Sequence, residues 1–181
     1  ARLGGFQVTG NTLTAIPNSS KPLSSNTAVP AQIQFAANGS VLVVTEKNTN
    51  KISTYTVSGG VPTGPMAQNS NGMTPFGFAI NSTQKLIVSE AASGATNMGS
   101  ASSYTIGSNG MLTSVTIRSM SMQTSPCWVA LAGNTAYITN AMSNNISAYT
   151  IGADGALTLV GNGVAGMTGM GPTDEDVTDA N

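Results

Sequence analysis

The sequence predicts an all-β protein in which a four-stranded antiparallel unit is repeated along the chain. Three observations support this prediction. A short strand-like segment with an aromatic residue recurs at intervals of 49, 49 and 45 residues, at Phe6, Tyr55, Tyr104 and Tyr149. Prolines that precede apolar runs recur at intervals of 45, 51 and 46 residues, at Pro30, Pro75, Pro126 and Pro172. Turns that contain glycine, such as Asn109-Gly110 and Asp154-Gly155, separate the runs as they do in β-hairpins.

Within each repeat the elements follow one order. The apolar run after the proline predicts strand A, and a polar turn leads to a second apolar run, strand B, which ends at Glu46, Glu90 or Asn140. The aromatic segment predicts strand C, and the alternating run after the glycine turn predicts strand D. Alternation in strand C places the tyrosines on one face, where we expect them to pack between repeats rather than to stack on a sugar. No segment has the periodicity of a helix.

Four strands in 45–51 residues is the period of a β-propeller blade. The sequence therefore predicts about three and a half four-stranded antiparallel blades. Residues 1–29 would form the end of one blade, residues 30–74, 75–125 and 126–171 three full blades, and residues 172–181 the start of another. Propellers close with about 4–8 blades, so we expect either a fragment of a longer chain, the simpler interpretation, or copies that associate to complete a ring.

Composition excludes several function classes. Charged residues make up 7% of the chain and the net charge is −1, which argues against a nucleic-acid partner. There is no apolar run long enough for a membrane span. The absence of histidine excludes a Ser-His-Asp triad, and the single cysteine excludes a disulfide framework or a thiolate zinc site. No cofactor or metal is predicted. The low charge and the abundance of Ser, Thr, Asn and Gly predict an extracellular or cell-surface protein, although no signal peptide is visible.

Glu46 and Glu90, with Asn140 at the third equivalent position, are the best candidate site because strand B ends at one rim of the channel in each blade. Two carboxylates there could act as acid and base if burial separated their pKa values, or could hold a hard cation. The alternative, which we favour, is that each carboxylate binds N–H groups of its own loop or of the neighbouring blade.

Two further residues are candidate ligand contacts on the same rim. Asp174 belongs to the acidic cluster Asp174-Glu175-Asp176 with Asp179, which follows Pro172 and could reach the channel; the alternative is a solvated terminus. Trp128 follows Pro126 at the start of a strand A.

Several motifs resemble those of bacterial lactonase-like seven-bladed β-propellers, a group similar to the 6-phosphogluconolactonase and 3-carboxymuconate-cyclising propellers. They are Val44-Thr45-Glu46-Lys47-x-Thr49-Asn50-x-Ile52, Thr74-Pro75-Phe76-Gly77-Phe78, Val88-Ser89-Glu90-Ala91, Ser102-Ser103-Tyr104, Pro126-Cys127-Trp128 and Gly171-Pro172-Thr173-Asp174. Members are about twice this length, which favours a fragment. The channel-side histidine associated with the cyclising enzymes has no counterpart in this chain.

The resemblance implies a secreted lactonase-like propeller, and whether it is an enzyme stays open. We expect binding of a ligand or partner at the channel rim, with a small molecule or carbohydrate as the partner. One alternative is a lactone hydrolase or cyclase that uses Glu46 and Glu90. Another is a structural assembly through exposed blade edges, by self-association or with the other half of the propeller.

Overall fold

The computed structural model describes residues 1–178, and three complete antiparallel sheets account for most of them. Each sheet begins at a proline of the repeat, and its strands are ordered in space as they are in sequence. Sheet I contains β5 (Pro30–Phe35), β6 (Val41–Glu46), β7 (Lys51–Ser58) and β8 (Val61–Asn69). Sheet II contains β9 (Pro75–Ile80), β10 (Lys85–Glu90), β11 (Ser100–Ile106) and β12 (Leu112–Met120). Sheet III contains β13 (Pro126–Ala132), β14 (Thr135–Asn140), β15 (Asn145–Ile151) and β16 (Leu157–Leu159), and β17 (Gly166–Met167) also pairs with β15.

The first 29 residues form two small antiparallel pairs. β1 (Arg2–Leu3) pairs with β4 (Lys21–Pro22), and β2 (Phe6–Thr9) pairs with β3 (Thr12–Ala15). Together the two pairs correspond to strands C and D of a blade, interrupted where the Ser19 hydroxyl binds Gly5. The only helical element in residues 1–178 is a 3₁₀ turn at Ala92–Gly94.

The three sheets pack face to face, with their first strands closest to one another. β9 contacts β5 on one side and β13 on the other, so these strands form the inner wall of the arrangement. This is part of a β-propeller, as the repeat predicts. The apolar core lies between the sheets; one cluster joins Val43, Ile52, Phe78 and Leu86, and another joins Ile87, Ile138 and Tyr149.

The strand-C tyrosines connect each sheet to the one before it. Tyr55, Tyr104 and Tyr149 are at most 2% exposed. Tyr55 donates to Pro22 O at 2.7 Å, Tyr149 donates to Ser119 O at 3.1 Å, and Tyr104 accepts from the N–H of Asn71 at 2.8 Å. The predicted packing between blades is therefore confirmed for the three tyrosines. It is wrong for Phe6, which is 58% exposed because no sheet of residues 1–178 lies in front of it.

The segment after Pro172 differs from the expected strand A. Residues 172–178 form no strand, because no other strand of the described chain offers them a hydrogen-bonded ladder. The segment instead lies against sheet III, where the Glu175 carboxylate accepts a hydrogen bond from the N–H of Thr139 at 3.1 Å.

Candidate functional site

Glu46 lies at the end of β6 and is completely buried. Its carboxylate accepts hydrogen bonds from the N–H of Ser24 at 3.0 Å and from the hydroxyls of Thr49 and Ser53, both at 2.7 Å. The Ser24 hydroxyl donates to it as well. The partners come from the loop before β5, the turn after β6 and strand β7, so one carboxylate ties three segments together.

Glu90 holds the equivalent position at the end of β10 and is also completely buried. It accepts hydrogen bonds from the N–H of Gly72 at 2.7 Å and from the hydroxyls of Ser100 and Ser102, both at 2.6 Å, with Ser70 at 3.4 Å. A Cβ at position 72 would overlap the Glu90 carboxylate, so any residue larger than Gly72 would displace that carboxylate from these contacts. The loop that crosses from sheet I to sheet II is thereby fixed to the third strand of sheet II.

The two carboxylates have pKa values shifted in opposite directions. Burial raises the pKa of Glu46, but the hydrogen bonds from Ser24, Ser53 and Thr49 outweigh it and the net pKa is lowered. Around Glu90 burial outweighs the hydrogen bonds from Ser100, Ser102 and Gly72, and the pKa is raised. Opposite directions are what an acid–base pair would need, yet no surface of either residue is open to a ligand.

Asn140 completes the series at the end of β14 and is completely buried. Its amide Nδ2 donates to Asn145 Oδ1 and to Ser147 Oγ, both at 2.8 Å. Its Oδ1 has no hydrogen-bond partner among residues 1–178. Asn145 in turn donates to Gln123 Oε1 at 2.7 Å, which links the cluster to the loop that enters sheet III.

Glu46, Glu90 and Asn140 thus occupy the predicted equivalent positions, each inside a separate polar cluster that closes a loop. A structural role, in which each carboxylate binds groups of its own loop or of the neighbouring sheet, explains all the contacts of Glu46 and Glu90. Catalysis by these two residues stays a prediction. The serines that bind these side chains were not predicted from the sequence; they are Ser53, Ser102 and Ser147. A serine two residues before each strand-C tyrosine was the available signal.

Trp128 lies in an aromatic and cationic cluster at the start of the inner strands, which we call the rim cluster: Lys47, Phe76 and Trp128. The rings of Phe76 and Trp128 are 5.1 Å apart between centroids and tilted by 57°. Lys47 Nζ lies 4.8 Å from the centroid of the Phe76 ring. All three side chains are half-buried, and the Lys47 ammonium forms no hydrogen bond or ion pair within residues 1–178. Unlike the two carboxylates, this cluster presents side-chain surface to solvent.

A second accessible feature is a cavity of about 360 Å³ lined by residues of all three inner strands and by 175–177. Two acidic residues, half-buried Glu175 and exposed Asp176, belong to its lining. Burial raises the Glu175 pKa to about 7, although N–H groups of Thr139 and Ala130 hydrogen-bond to the carboxylate and lower it in part. Nothing in the sequence distinguishes Glu175 from its acidic neighbours, because the difference comes from packing against sheet III.

The neighbouring acidic residues Asp174 and Asp176 are more exposed than Glu175. Asp174 is exposed, and its carboxylate accepts the N–H of Glu175 at 2.9 Å. Asp179 lies outside the described residues. In residues 1–178 no three acidic or cysteine side chains come close enough to hold a metal ion. The described part of the chain also has no helix of the length and apolarity that a membrane crossing needs.

The solved structures that this chain resembles include proteins with lactonase designations. A protein from Bacteroides uniformis, provisionally designated a 6-phosphogluconolactonase, superposes with a TM-score of 0.74 at 14% identity; the match covers 89% of this chain and 48% of that one. A protein from Lactobacillus plantarum gives a TM-score of 0.73 at 15% identity, over 92% of this chain and 49% of the other. The periplasmic gluconolactonase of Pseudomonas aeruginosa gives a TM-score of 0.63 at 16% identity, and the match covers 90% of this chain and 44% of that one.

These matches confirm the predicted fold, and the designations agree with the resemblance of the sequence motifs. Identities of this size establish the fold alone. The chain spans about half the length of the structures it matches. No protein-family model matches the sequence, and no curated protein sequence matches it.

Proposed function

We propose that this chain forms part of the wall of a ligand-binding propeller, with the rim cluster as its recognition surface. The observation that carries the proposal is the arrangement of Lys47 beside Phe76 and Trp128, half-buried at the start of two adjacent inner strands. Aromatic faces bind the apolar face of a sugar-like ring, and an ammonium without a hydrogen-bond or ion-pair partner attracts an anion. The ligand class that fits is a hydroxylated acid derived from a sugar, or its lactone. The lactonase designations of the neighbouring structures support this class.

Trp128 is the only tryptophan in the chain, so its fluorescence reports directly on the rim cluster. The experiment titrates the protein with 6-phosphogluconate, gluconate and glucono-δ-lactone and follows tryptophan emission, with calorimetry as a second readout. We expect a saturable change, and Lys47→Gln should weaken binding of the anions about tenfold, equivalent to about 1.4 kcal/mol. It should weaken binding of the neutral lactone much less.

Lys51→Gln is the matched control, because Lys51 is a nearby lysine whose ammonium already donates to Asn69 Oδ1 at 2.7 Å. This variant should bind like the wild type. The proposal fails if saturating ligand changes neither the emission nor the heat, or if Lys47→Gln and Lys51→Gln bind alike.

Lactone hydrolysis is a second candidate function, favoured by the position of Glu175 at the edge of the inner cavity. With a pKa of about 7, this carboxylate can take a proton from water near neutrality while the water oxygen adds to the lactone carbonyl. The ring C–O bond then breaks, and the proton passes to the leaving alkoxide to give the hydroxy acid. Glu46 and Glu90, which are buried, are not needed for these steps.

The test measures hydrolysis of glucono-δ-lactone, corrected for the spontaneous reaction, between pH 5 and 9. For the wild type we expect the rate to rise through about pH 7, since the ionised carboxylate is the base. Glu175→Gln should abolish the rise with pH and lower the hydrolysis rate at least about 100-fold, the usual scale of general-base catalysis. Asp154→Asn, at an exposed turn that does not line the cavity, should leave both unchanged. Equal rates in Glu175→Gln and the wild type would exclude this function.

A further inference from the structure

The polar cluster at the end of β14 contains a buried acceptor to which nothing donates. Asn140 is completely buried, and its Oδ1 has no hydrogen-bond partner within residues 1–178. A buried amide oxygen without a donor is costly, because it has given up its hydrogen bonds to water. Nearly all such atoms in folded proteins have a partner, which is either a protein group or an ordered water molecule. No described residue supplies the donor that Asn140 Oδ1 needs.

The equivalent side chain of sheet I shows how the repeat satisfies this position elsewhere. Both carboxylate oxygens of Glu46 accept two hydrogen bonds. Oε1 accepts the N–H of Ser24 and the hydroxyl of Ser53, and Oε2 accepts the hydroxyls of Ser24 and Thr49. The Ser24 N–H comes from the loop before the first strand of the sheet, so a glutamate at this position reaches that loop directly.

Sheet III lacks the corresponding contact with its loop. In sheet II the N–H of Gly72, three residues before the proline that opens the sheet, donates to Glu90 at 2.7 Å. Gln123 holds the same position in sheet III, but its N–H donates to Ser121 Oγ at 3.2 Å. Asparagine is also one methylene group shorter than glutamate. Asn140 is therefore a shorter side chain that faces a loop whose equivalent N–H is already used.

Exchanging the oxygen and nitrogen of the Asn140 amide does not remove the unpaired atom. Asn140 Nδ2 donates to Asn145 Oδ1 and to Ser147 Oγ, both at 2.8 Å, while the Ser147 hydroxyl donates to Gly163 O at 2.7 Å. After the exchange Gly163 O would still use the Ser147 proton, and Nδ2 would become the buried atom without a partner. A partner that serves both orientations must be able to donate and to accept.

We propose that sheet III holds one internal water molecule, bound to Asn140 at the position where sheets I and II bring a carboxylate and a loop N–H together. Internal waters form about three hydrogen bonds with buried polar groups that lack other partners. The bond to Asn140 Oδ1 is the first of these. Gln123 Oε1 offers a second acceptor, because it accepts only the Asn145 amide, at 2.7 Å, and a carbonyl oxygen has two lone pairs. The side chains of the cluster are all uncharged, which favours a neutral ligand over a cation; they are Asn140, Asn145, Ser147 and Gln123.

The first test is a crystal structure of the wild-type protein at a resolution that shows ordered waters. We expect density for one water at about 2.7–3.2 Å from the unpaired atom of the Asn140 amide, within hydrogen-bond distance of at least one further polar group of the cluster. A protein group bound to that atom, or no density beside it, overturns the proposal. So does a bound cation, which several oxygens would approach to about 2.3–2.6 Å, as they do around calcium.

The second test counts internal waters in solution by oxygen-17 magnetic relaxation dispersion, a signal to which protein hydroxyl groups do not contribute. Asn140→Gln lengthens the side chain by one methylene group without adding charge, so its amide should occupy the place of the water. The dispersion amplitude should therefore fall by the contribution of one water molecule. Asn134→Gln is the matched control, because Asn134 is exposed at the turn between β13 and β14, and this variant should keep the wild-type amplitude.

Equal amplitudes in the wild type and in folded Asn140→Gln overturn the proposal, and near-ultraviolet circular dichroism shows whether the variant is folded. If Asn140→Gln does not fold, the crystal structure of the wild type decides alone, because that test needs no substitution.

Discussion

At the scale of single residues, Glu46 and Glu90 show how equivalent positions acquire different chemistry. The repeat predicts that both end a strand B, and this placement needs only local spacing. The serine hydroxyls and N–H groups that bind them could not be predicted, because Ser24 and Gly72 come from loops 22 and 18 residues earlier in the chain. The balance between burial and hydrogen bonding then decides the direction of each pKa shift, and no sequence pattern records that balance.

The opposite pKa shifts predict opposite effects of pH on stability. For Glu46 the pKa is lower in the folded state than in the unfolded chain, so its stabilisation is present above the unfolded pKa and is lost as pH falls through the folded pKa. For Glu90 the folded pKa is higher, so ionisation costs stability as pH rises from the unfolded pKa through the folded one. We therefore expect Glu46→Gln to cost about 2 kcal/mol at neutral pH, the scale of a hydrogen bond to a charged group, and less in acid.

Glu90→Gln should show the reverse trend. The free energy of unfolding that this variant loses relative to the wild type should decrease as pH rises above the ordinary carboxyl range, because only the wild type then has to ionise a buried carboxyl group. The measurement is urea unfolding of the wild type and both variants at several pH values, with the free energy of unfolding compared at each pH. Parallel pH profiles for the two variants would contradict the prediction. Asp154→Asn, at an exposed turn, serves as the control for substitution of a surface carboxylate.

At the scale of the strand, the repeat predicts the elements well where each strand has a partner strand to pair with. β5, β9 and β13 begin at the expected prolines, and β6, β10 and β14 end at Glu46, Glu90 and Asn140. The prediction is wrong after Pro172, where the same local signal is present without a partner strand. A strand exists only as a member of a ladder, so the pattern of one segment predicts its capacity to pair and not the pairing itself.

The same limit explains why the sequence alone does not predict the rim cluster. The sequence places Trp128 at the start of a strand A, but it does not show that Phe76 and Lys47 lie beside it. The three residues belong to separate repeats, and only the packing of β9 against β13 brings the rings to 5.1 Å. The sequence therefore predicted one member of the cluster and not its chemistry.

At the scale of the whole molecule, stability should be unevenly distributed along the chain. β6 is buried at every position, whereas every residue of β2 and β3 is exposed and the hairpin pairs with no other strand of residues 1–178. Local opening needs little free energy where few apolar contacts hold an element. The amides of the hairpin should therefore exchange with solvent fastest among the strands.

Hydrogen–deuterium exchange measured by mass spectrometry tests this expectation. Residues 6–15 should exchange before β6 and β10, because those two strands are buried between neighbouring sheets at almost every position. Equal exchange rates in the hairpin and in β6 would contradict the prediction, since they would mean that the whole molecule opens as one unit.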